Sequence, residues 1–285
     1  MLGGRAAPLY SPPMSSATPS SGTSAPTSSS PAAGTPAEGW TEETLAGNPH
    51  VRDDKAERVK GMFGAIARRY DLNNRLHSFG LDQRWRRTAV RLSAAGRDTD
   101  VVDVACGTGD LTEAFVAAGV RSVLGIDYTP AMLEIARAKS SRRQRTSGPA
   151  PTYREGDATA LDLPDASADV VSIAFGLRNV SDPAKAIREF RRILRPKGRV
   201  IVLEFSEPKN PLIRFGNGVY CRHIMPLTAT LIAGDRTGAY KYLPRSVQTF
   251  LTAESLAALV REGGFSSVDQ FPLTCGVCTV TVGRV

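Results

Sequence analysis

Val101-Val-Asp-Val-Ala-Cys-Gly-Thr-Gly109 is the stretch on which the fold turns. A short apolar run, Val101–Val104, passes straight into a turn carrying Gly107 and Gly109, and a helical pattern follows from Gly107 to Ala118. Glycines at a strand-to-helix junction let the backbone approach a ligand at the carboxyl end of a sheet. The alternation then continues. Val123–Ile126 is a second strand, and Thr129 with Pro130 is an N-cap followed by proline at the first helical position. Thr152–Glu155 and Ala168–Ala174 follow as strands, Asp182-Pro183 opens another helix, and Val200–Leu203 is a fifth strand. Thr252 caps a helix to Gly263, and Ser267–Val282 reads as two closing strands. Alternating strands and helices require crossovers, hence a parallel sheet covered on both faces. The closing strands are too near each other for a helical crossover and are expected to pair antiparallel.

The flanks read differently. Residues 1–50 are dominated by Ser, Pro, Ala, Thr and Gly. Such a stretch buries too little apolar surface to offset its ordering entropy, so it is expected to be a disordered tail. It has no apolar core of a secretory signal, and its one basic residue, Arg5, stands against Glu38, Glu42 and Glu43, a poor match to an organellar transit peptide. The folded domain is expected over 51–285. Within it, 51–97 forms an N-terminal helical cap, and the apolar segment 207–242, with Leu212, Phe215, Val219 and Ile224, forms a helical lid over the ligand end of the sheet.

The formal net charge is +8, and the acidic tail leaves that surplus in 51–285. Basic residues cluster at Arg137, Lys139, Arg142, Arg143 and Arg145, and from Arg188 to Arg199. Solvated helix faces are the plain expectation, and an anionic membrane surface is the functional one. No apolar run reaches the length of a membrane span. Cys106, Cys221, Cys275 and Cys278 are expected as free thiols in a reducing cytoplasm. Cys275-Gly-Val-Cys278 offers only two zinc ligands, so it is assigned to packing and no metal is expected.

The loop after Val104 departs from a dinucleotide-binding pattern, which placed on Gly107 would need Gly or Ala where Thr112 stands. Asp103, just ahead of the loop, would suit a ligand bearing an ammonium group, such as the amino-acid end of S-adenosylmethionine. Asp127, ending the second strand, can accept from both ribose hydroxyls. Asp157-Ala158, after the third, offers an acceptor and a backbone donor to adenine. Asp103, Gly107, Gly109, Asp127, Asp157 and Ala158 are therefore candidate cofactor-binding residues. A doubly wound sheet with an antiparallel edge hairpin resembles the class I S-adenosylmethionine-dependent methyltransferase fold, a Rossmann-like α/β architecture with a seven-stranded, mainly parallel sheet.

Three stretches carry a closer likeness: Ala67-Arg-Arg-Tyr70-Asp71-Leu-Asn-Asn74 running on to Trp85-Arg86-Arg87, Ser172-Ile-Ala-Phe175-Gly-Leu-Arg178-Asn179-Val180, and Leu194-Arg-Pro-Lys-Gly198 to Ser206. Through them the chain, from about residue 55 to 283, resembles the ubiquinone/menaquinone biosynthesis C-methyltransferase family. The resemblance implies cofactor contacts at Thr108, Asp127, Asp157 and Ala158. It also implies C-methylation of demethylmenaquinol, with a benzoquinol or a non-catalytic scaffold as alternatives. Arg178 and Asn179 follow the fourth strand, where the methyl acceptor should lie. Arg178 is expected to stabilise oxyanion charge, Asn179 to orient the ring or a water, and Tyr70 to stack on the ring or bond a ring oxygen. Further expectations are an isoprenoid hydroquinone substrate, a homodimer, and residence in the cytoplasm against the inner face of the membrane. A nucleic-acid methyltransferase is disfavoured: Phe175-Gly-Leu-Arg-Asn179 replaces the Asn/Asp-Pro-Pro-Tyr-like loop that grips a flipped base. Against the family pattern, Ala105 stands for a glycine, Ala174 for a serine, Arg75 for an acidic residue, and Tyr240-Lys-Tyr242 for Tyr-Arg-Tyr.

Overall fold

The computed structural model describes residues 39–142, 149–225, 228 and 237–285. The central sheet comprises β1 (Asp100–Val104), β2 (Ser122–Asp127), β3 (Thr152–Glu155), β4 (Ala168–Ala174), β5 (Leu194–Phe205), β6 (Ser267–Leu273) and β7 (Cys278–Arg284). Their order is β3-β2-β1-β4-β5-β7-β6. β1 to β5 pair parallel, and β7 runs antiparallel to both β5 and β6. The expected architecture is present, edge hairpin included. The crossover helices are α4 (Asp110–Ala117), α5 (Pro130–Arg142), α6 (Pro183–Ile193) and α9 (Ala253–Glu262). Asp182 Oδ1 accepts from the Lys185 amide at 2.9 Å, and Thr252 Oγ1 from the Ser255 amide at 3.1 Å, so two of the caps read from sequence form.

The pleat of β1 divides the core. Val102 and Val104 face α6 and α9, where Ile187, Phe190 and Val260 are fully buried. Val101 faces the other layer, with Phe115 of α4 and with Trp85 and Val90 of α3 (Leu81–Ser93). Complete burial of a phenylalanine such as Phe115 or Phe190 stabilises by about 1.5–3 kcal/mol.

A third, smaller core lies outside the sheet. It joins Leu45 of α1 (Glu42–Ala46), Val59, Met62 and Ile66 of α2 (Lys55–His77), and Tyr240 and Tyr242 of α8 (Ala239–Thr249). Trp40 stacks on Tyr242 with ring centroids 4.5 Å apart, and its amide donates to the Thr237 carbonyl at 2.7 Å. Residues 39–50 are thus part of the packed unit. The expected tail boundary at 50 moves back to 38 at the least, and residues 1–38 lie outside those described. Averaged composition hid one tryptophan with an aromatic partner some 200 residues away.

In the 207–242 insert, α7 (Pro211–Val219) buries none of its residues and continues into a π-helical turn, Tyr220–Ile224. Residues 226–227 and 229–236 of that segment, and Arg143 and Arg145 of the basic cluster, lie outside the described residues.

Candidate active site

The loop after β1 is built by backbone conformation. Ala105, Gly107 and Gly109 have φ of +50°, +57° and +83°. A residue with a Cβ pays roughly 1–2 kcal/mol for that left-handed geometry, so Ala105 is strained where a glycine would not be. Gly109 is needed for packing: a Cβ there would lie 2.6 Å from Tyr153 Oη. Asp103 points to the same side as Val101, beneath the loop. Its carboxylate accepts from Thr112 Oγ1 at 2.6 Å and Ser172 Oγ at 2.7 Å, and burial pushes its pKa up to about 6. The carboxylate expected to meet an ammonium group is therefore one layer down, excluded by strand parity from the cleft above.

That cleft holds roughly 850 Å³ of free space, its open mouth included, and brings together Tyr70, Gly107, Asp127, Asp157, Ala158 and Asn179. Asp127 accepts from the Gly107 amide at 2.7 Å through Oδ2 and from the Thr129 amide at 2.8 Å through Oδ1. The Thr129 side chain and the Tyr128 backbone also bond this carboxylate, which stands at the wall of the cleft. Burial raises the Asp127 pKa above the ordinary carboxylate value. Asp157 Oδ1 accepts from the Thr159 amide at 2.8 Å, which fixes the turn that exposes the Asp157 side chain. A Cβ on Gly107 would meet no protein atom within 4 Å. The loop thus leaves open the cradle that an adenosyl group needs, between Gly107, Asp127 and Asp157, and the residues fit S-adenosylmethionine.

The roof is α2. Ala56, Val59, Phe63 and Tyr70 recur at helical spacing and all line the cleft. Tyr70 packs edge-on against Phe63 at 5.8 Å. Among the described residues, none of the 207–242 segment lines the cleft, and α2 of the N-terminal cap covers it. Charges fasten α2 along both rims. Lys60 pairs with Glu155 at 2.9 Å and lies over the Tyr128 ring at 4.5 Å. Asp71 accepts from Thr108 Oγ1 at 2.5 Å and Lys139 Nζ at 2.7 Å; Lys139 also reaches Asp110 at 2.6 Å, and Arg75 reaches Asp110 at 3.2 Å. Thr108 is accordingly turned to the clasp and does not line the cleft. Lys139, which the charge pattern assigns to a solvated face, is a fastening residue that only tertiary structure reveals.

The loop after β4 begins at Phe175, φ +56°, and carries a short turn, Leu177–Asn179. Gly176 is held close to the other loop: a Cβ there would stand 2.6 Å from Ala105 Cβ. Arg178 is buried and does not line the cleft. Its Nη1 donates to Glu204 Oε1 at 2.7 Å and to the Phe175 carbonyl at 2.6 Å, and the guanidinium lies over Phe205 at 5.4 Å. The arginine expected at the acceptor oxygen is thus paired behind the loop, because Glu204 at the end of β5 is its nearer anion. Lys55 Nζ donates to the Val180 carbonyl at 2.6 Å, and burial, aided by Arg178, pulls the ammonium pKa down to about 8. His77 bonds the Asn73 carbonyl and Thr228, and His223 is exposed; neither lines the cleft. Cys278 is buried in the core, whereas Cys275 is exposed, so the packing assignment holds for one of the pair. Among the described residues, no group of three or more His, Cys, Asp or Glu is placed to hold a metal ion.

The profile of the ubiE/COQ5 methyltransferase family matches residues 51–284. The chain belongs to this family. It is 44% identical over 223 residues to a demethylmenaquinone methyltransferase of Thermus thermophilus, covering 78% of this chain and 99% of that one. It is 40% identical to the demethylmenaquinone methyltransferase of Deinococcus radiodurans, covering 84% and 98%. It is 41% identical to the ubiquinone/menaquinone biosynthesis C-methyltransferase UbiE of a Geobacter species, covering 82% and 99%. The fold is similar to that of a SAM-dependent methyltransferase from Thermotoga maritima, with a TM-score of 0.53 at 19% identity over 79% of this chain and 99% of that one. The chain is a methyltransferase of the Rossmann-like class I fold.

Proposed function

We propose that this chain transfers a methyl group from S-adenosylmethionine to a ring carbon of demethylmenaquinol, giving menaquinol. The observation that carries the reading is one cleft lined both by Gly107, Asp127, Asp157 and Ala158 and by Phe63, Tyr70 and Asn179. The demethylmenaquinone methyltransferases to which the chain is 40–44% identical supply the acceptor class.

When bound, S-adenosylmethionine supplies an electrophilic methyl group. Asp127, at the wall of the cleft, would accept from the ribose hydroxyls, and Asp157 with the Ala158 amide would read the adenine. Gly107 lets the backbone lie against the ligand. Val59 and Phe63 exclude water above it, and Tyr70 offers its ring face and a phenol that burial keeps protonated. The reduced ring is electron-rich, so its carbon can attack once held in line. Asn179 lies beside it. Arg178 acts through Glu204 and the Phe175 carbonyl, as a positioning residue for the loop that carries Asn179. Incubation of purified protein with methyl-labelled cofactor and demethylmenaquinol should place label in menaquinol; recovery of unlabelled quinol would refute the reading.

A polyprenyl substrate resides in a bilayer, and the surface fits one. Leu72, Leu76 and Phe79 on one side, and Leu212, Phe215 and Val219 on the other, are exposed, with Arg68 and Arg214 among them. Tyr220 joins the two sides: it donates to the His77 carbonyl at 3.0 Å, and its ring lies 5.9 Å from Phe79. No helix among the described residues is long and apolar enough to cross a membrane. This ridge is the proposed contact with an anionic lipid surface, on the cytoplasmic face. Co-flotation with anionic vesicles at low salt should be lost in a Phe79→Asp/Phe215→Asp variant. Doubled mass in solution that this variant abolishes, without flotation, would instead assign the ridge to a homodimer.

A further inference from the structure

Asn179 has two faces, and the structure fixes which one meets the substrate. Its Nδ2 lies 3.4 Å from the Phe175 carbonyl oxygen, which can only accept, so the amide nitrogen is the atom on that side. Its Oδ1 accepts from the Tyr242 hydroxyl at 3.0 Å. One N–H of the amide therefore remains for the cleft that Asn179 lines. Turned the other way, the side chain would set oxygen against oxygen at Phe175, and Tyr242 would have to accept rather than donate.

Tyr242 is built to hold that donor role. Its side chain is almost fully buried, its ring stacks on Trp40 at an interplanar angle of 24°, and burial pushes its phenol up to about 12. A neutral hydroxyl is thus present through the working pH range. Trp40 is held in turn by its backbone bond to Thr237, and it precedes the family-matched region, which begins at residue 51.

We infer that Tyr242 is a positioning residue that locks the Asn179 amide with its N–H toward the cleft, so that Asn179 donates to an oxygen of the methyl acceptor. This rests on the proposed quinol reaction. It adds that the acceptor carries an oxygen beside the reacting carbon, which the amide holds and whose charge it accommodates as the ring attacks. A fixed donor aimed at developing oxyanion charge is already organised when that charge appears.

The test uses the full chain. Tyr242→Phe keeps the stack on Trp40 and removes only the hydroxyl. It should lower kcat on demethylmenaquinol by roughly ten- to a hundredfold, with cofactor affinity by calorimetry and thermal midpoint close to wild type. Asn179→Ala should be at least as slow, and Tyr242→Phe/Asn179→Ala no slower than Asn179→Ala alone. Multiplying effects, or a wild-type kcat for Tyr242→Phe, would overturn the inference. A second readout is independent of turnover. With selectively labelled asparagine, the Asn179 side-chain NH2 should give one sharp pair of NMR signals that shifts or broadens in Tyr242→Phe; superimposable signals overturn the lock. An inactive wild type with the expected NMR change would refute the quinol reading and leave the lock standing.

Discussion

The loops after β1 and after β4 meet across Ala105 and Gly176, yet they are held in different proportions by main chain and side chain. The first, 105–109, is held by its own backbone conformation and by Asp127 accepting from Gly107, with one distant side chain, Asp71, on Thr108. The second, 175–180, is pinned by side chains from distant elements: Glu204 on Arg178, Tyr242 on Asn179 and Lys55 on Val180. Gly107 in the first loop lines the cleft with main chain, which tolerates sequence change, whereas Asn179 in the second lines it with a side chain held from a distant element. The difference teaches that the second loop is the one a single distant substitution can re-aim.

The contrast can be broken most forcefully at Arg178. Arg178→Ala strands the buried Glu204 carboxylate, and should destabilise by about 3–5 kcal/mol in denaturant titration. Arg178→Met/Glu204→Leu should recover much of that. A stability close to wild type for Arg178→Ala would mean that the second loop is not pinned as described.

The next effect tests the base of the first loop through pH. Asp103 is raised from 3.8 to about 6, so the folded protein holds this proton more tightly than the unfolded chain. Its contribution to stability therefore grows as pH falls from above 6 toward 4 and is lost as pH rises through about 6. The gap between wild type and D103N should change across that window by about 2–3 kcal/mol. A gap constant from pH 4 to 7 would contradict the burial of an ionisable carboxyl there.

Asp127→Ala removes both the ligand acceptor and the anchor of Gly107. Calorimetry should show cofactor binding weaker by about 1.5–3 kcal/mol, with a lowered thermal midpoint because the Gly107 and Thr129 amides lose their acceptor. The smallest test addresses both loops at once. Gly176→Ala should cost about 1–3 kcal/mol by overpacking against Ala105, and Ala105→Gly should suppress part of that cost. Independent effects would show that the loops do not bear on each other.

The same division explains what was legible in the sequence. Strand order of appearance, the crossover helices, the edge hairpin and the cradle of Gly107, Asp127 and Asp157 follow from local patterns: caps, glycines and apolar runs within a few residues. The second loop announced itself only as a resemblance, because its partners lie 26, 63 and 125 residues away in the chain. Asp103 reads as a cleft residue because a carboxylate just ahead of the glycine loop suits an ammonium group, but only the pleat tells which face it takes. Residues 39–50 are hidden by the composition of the segment before them, and the covering role of α2 is not legible because a roof cannot be located before its neighbours are.

The rims of that roof carry a last consequence. Lys60, Asp71, Arg75 and Lys139 fasten the rims of α2 by partly hydrated ion pairs, whereas Val59, Met62 and Ile66 tie the helix into the third core. Loosening the rims over a spent ligand then means unbuttoning charges at the water's edge, while the third core keeps α2 attached. Mobile ions compete for such buttons, so the rate at which the demethylated cofactor leaves should climb with salt while the melting of the sheet scarcely moves.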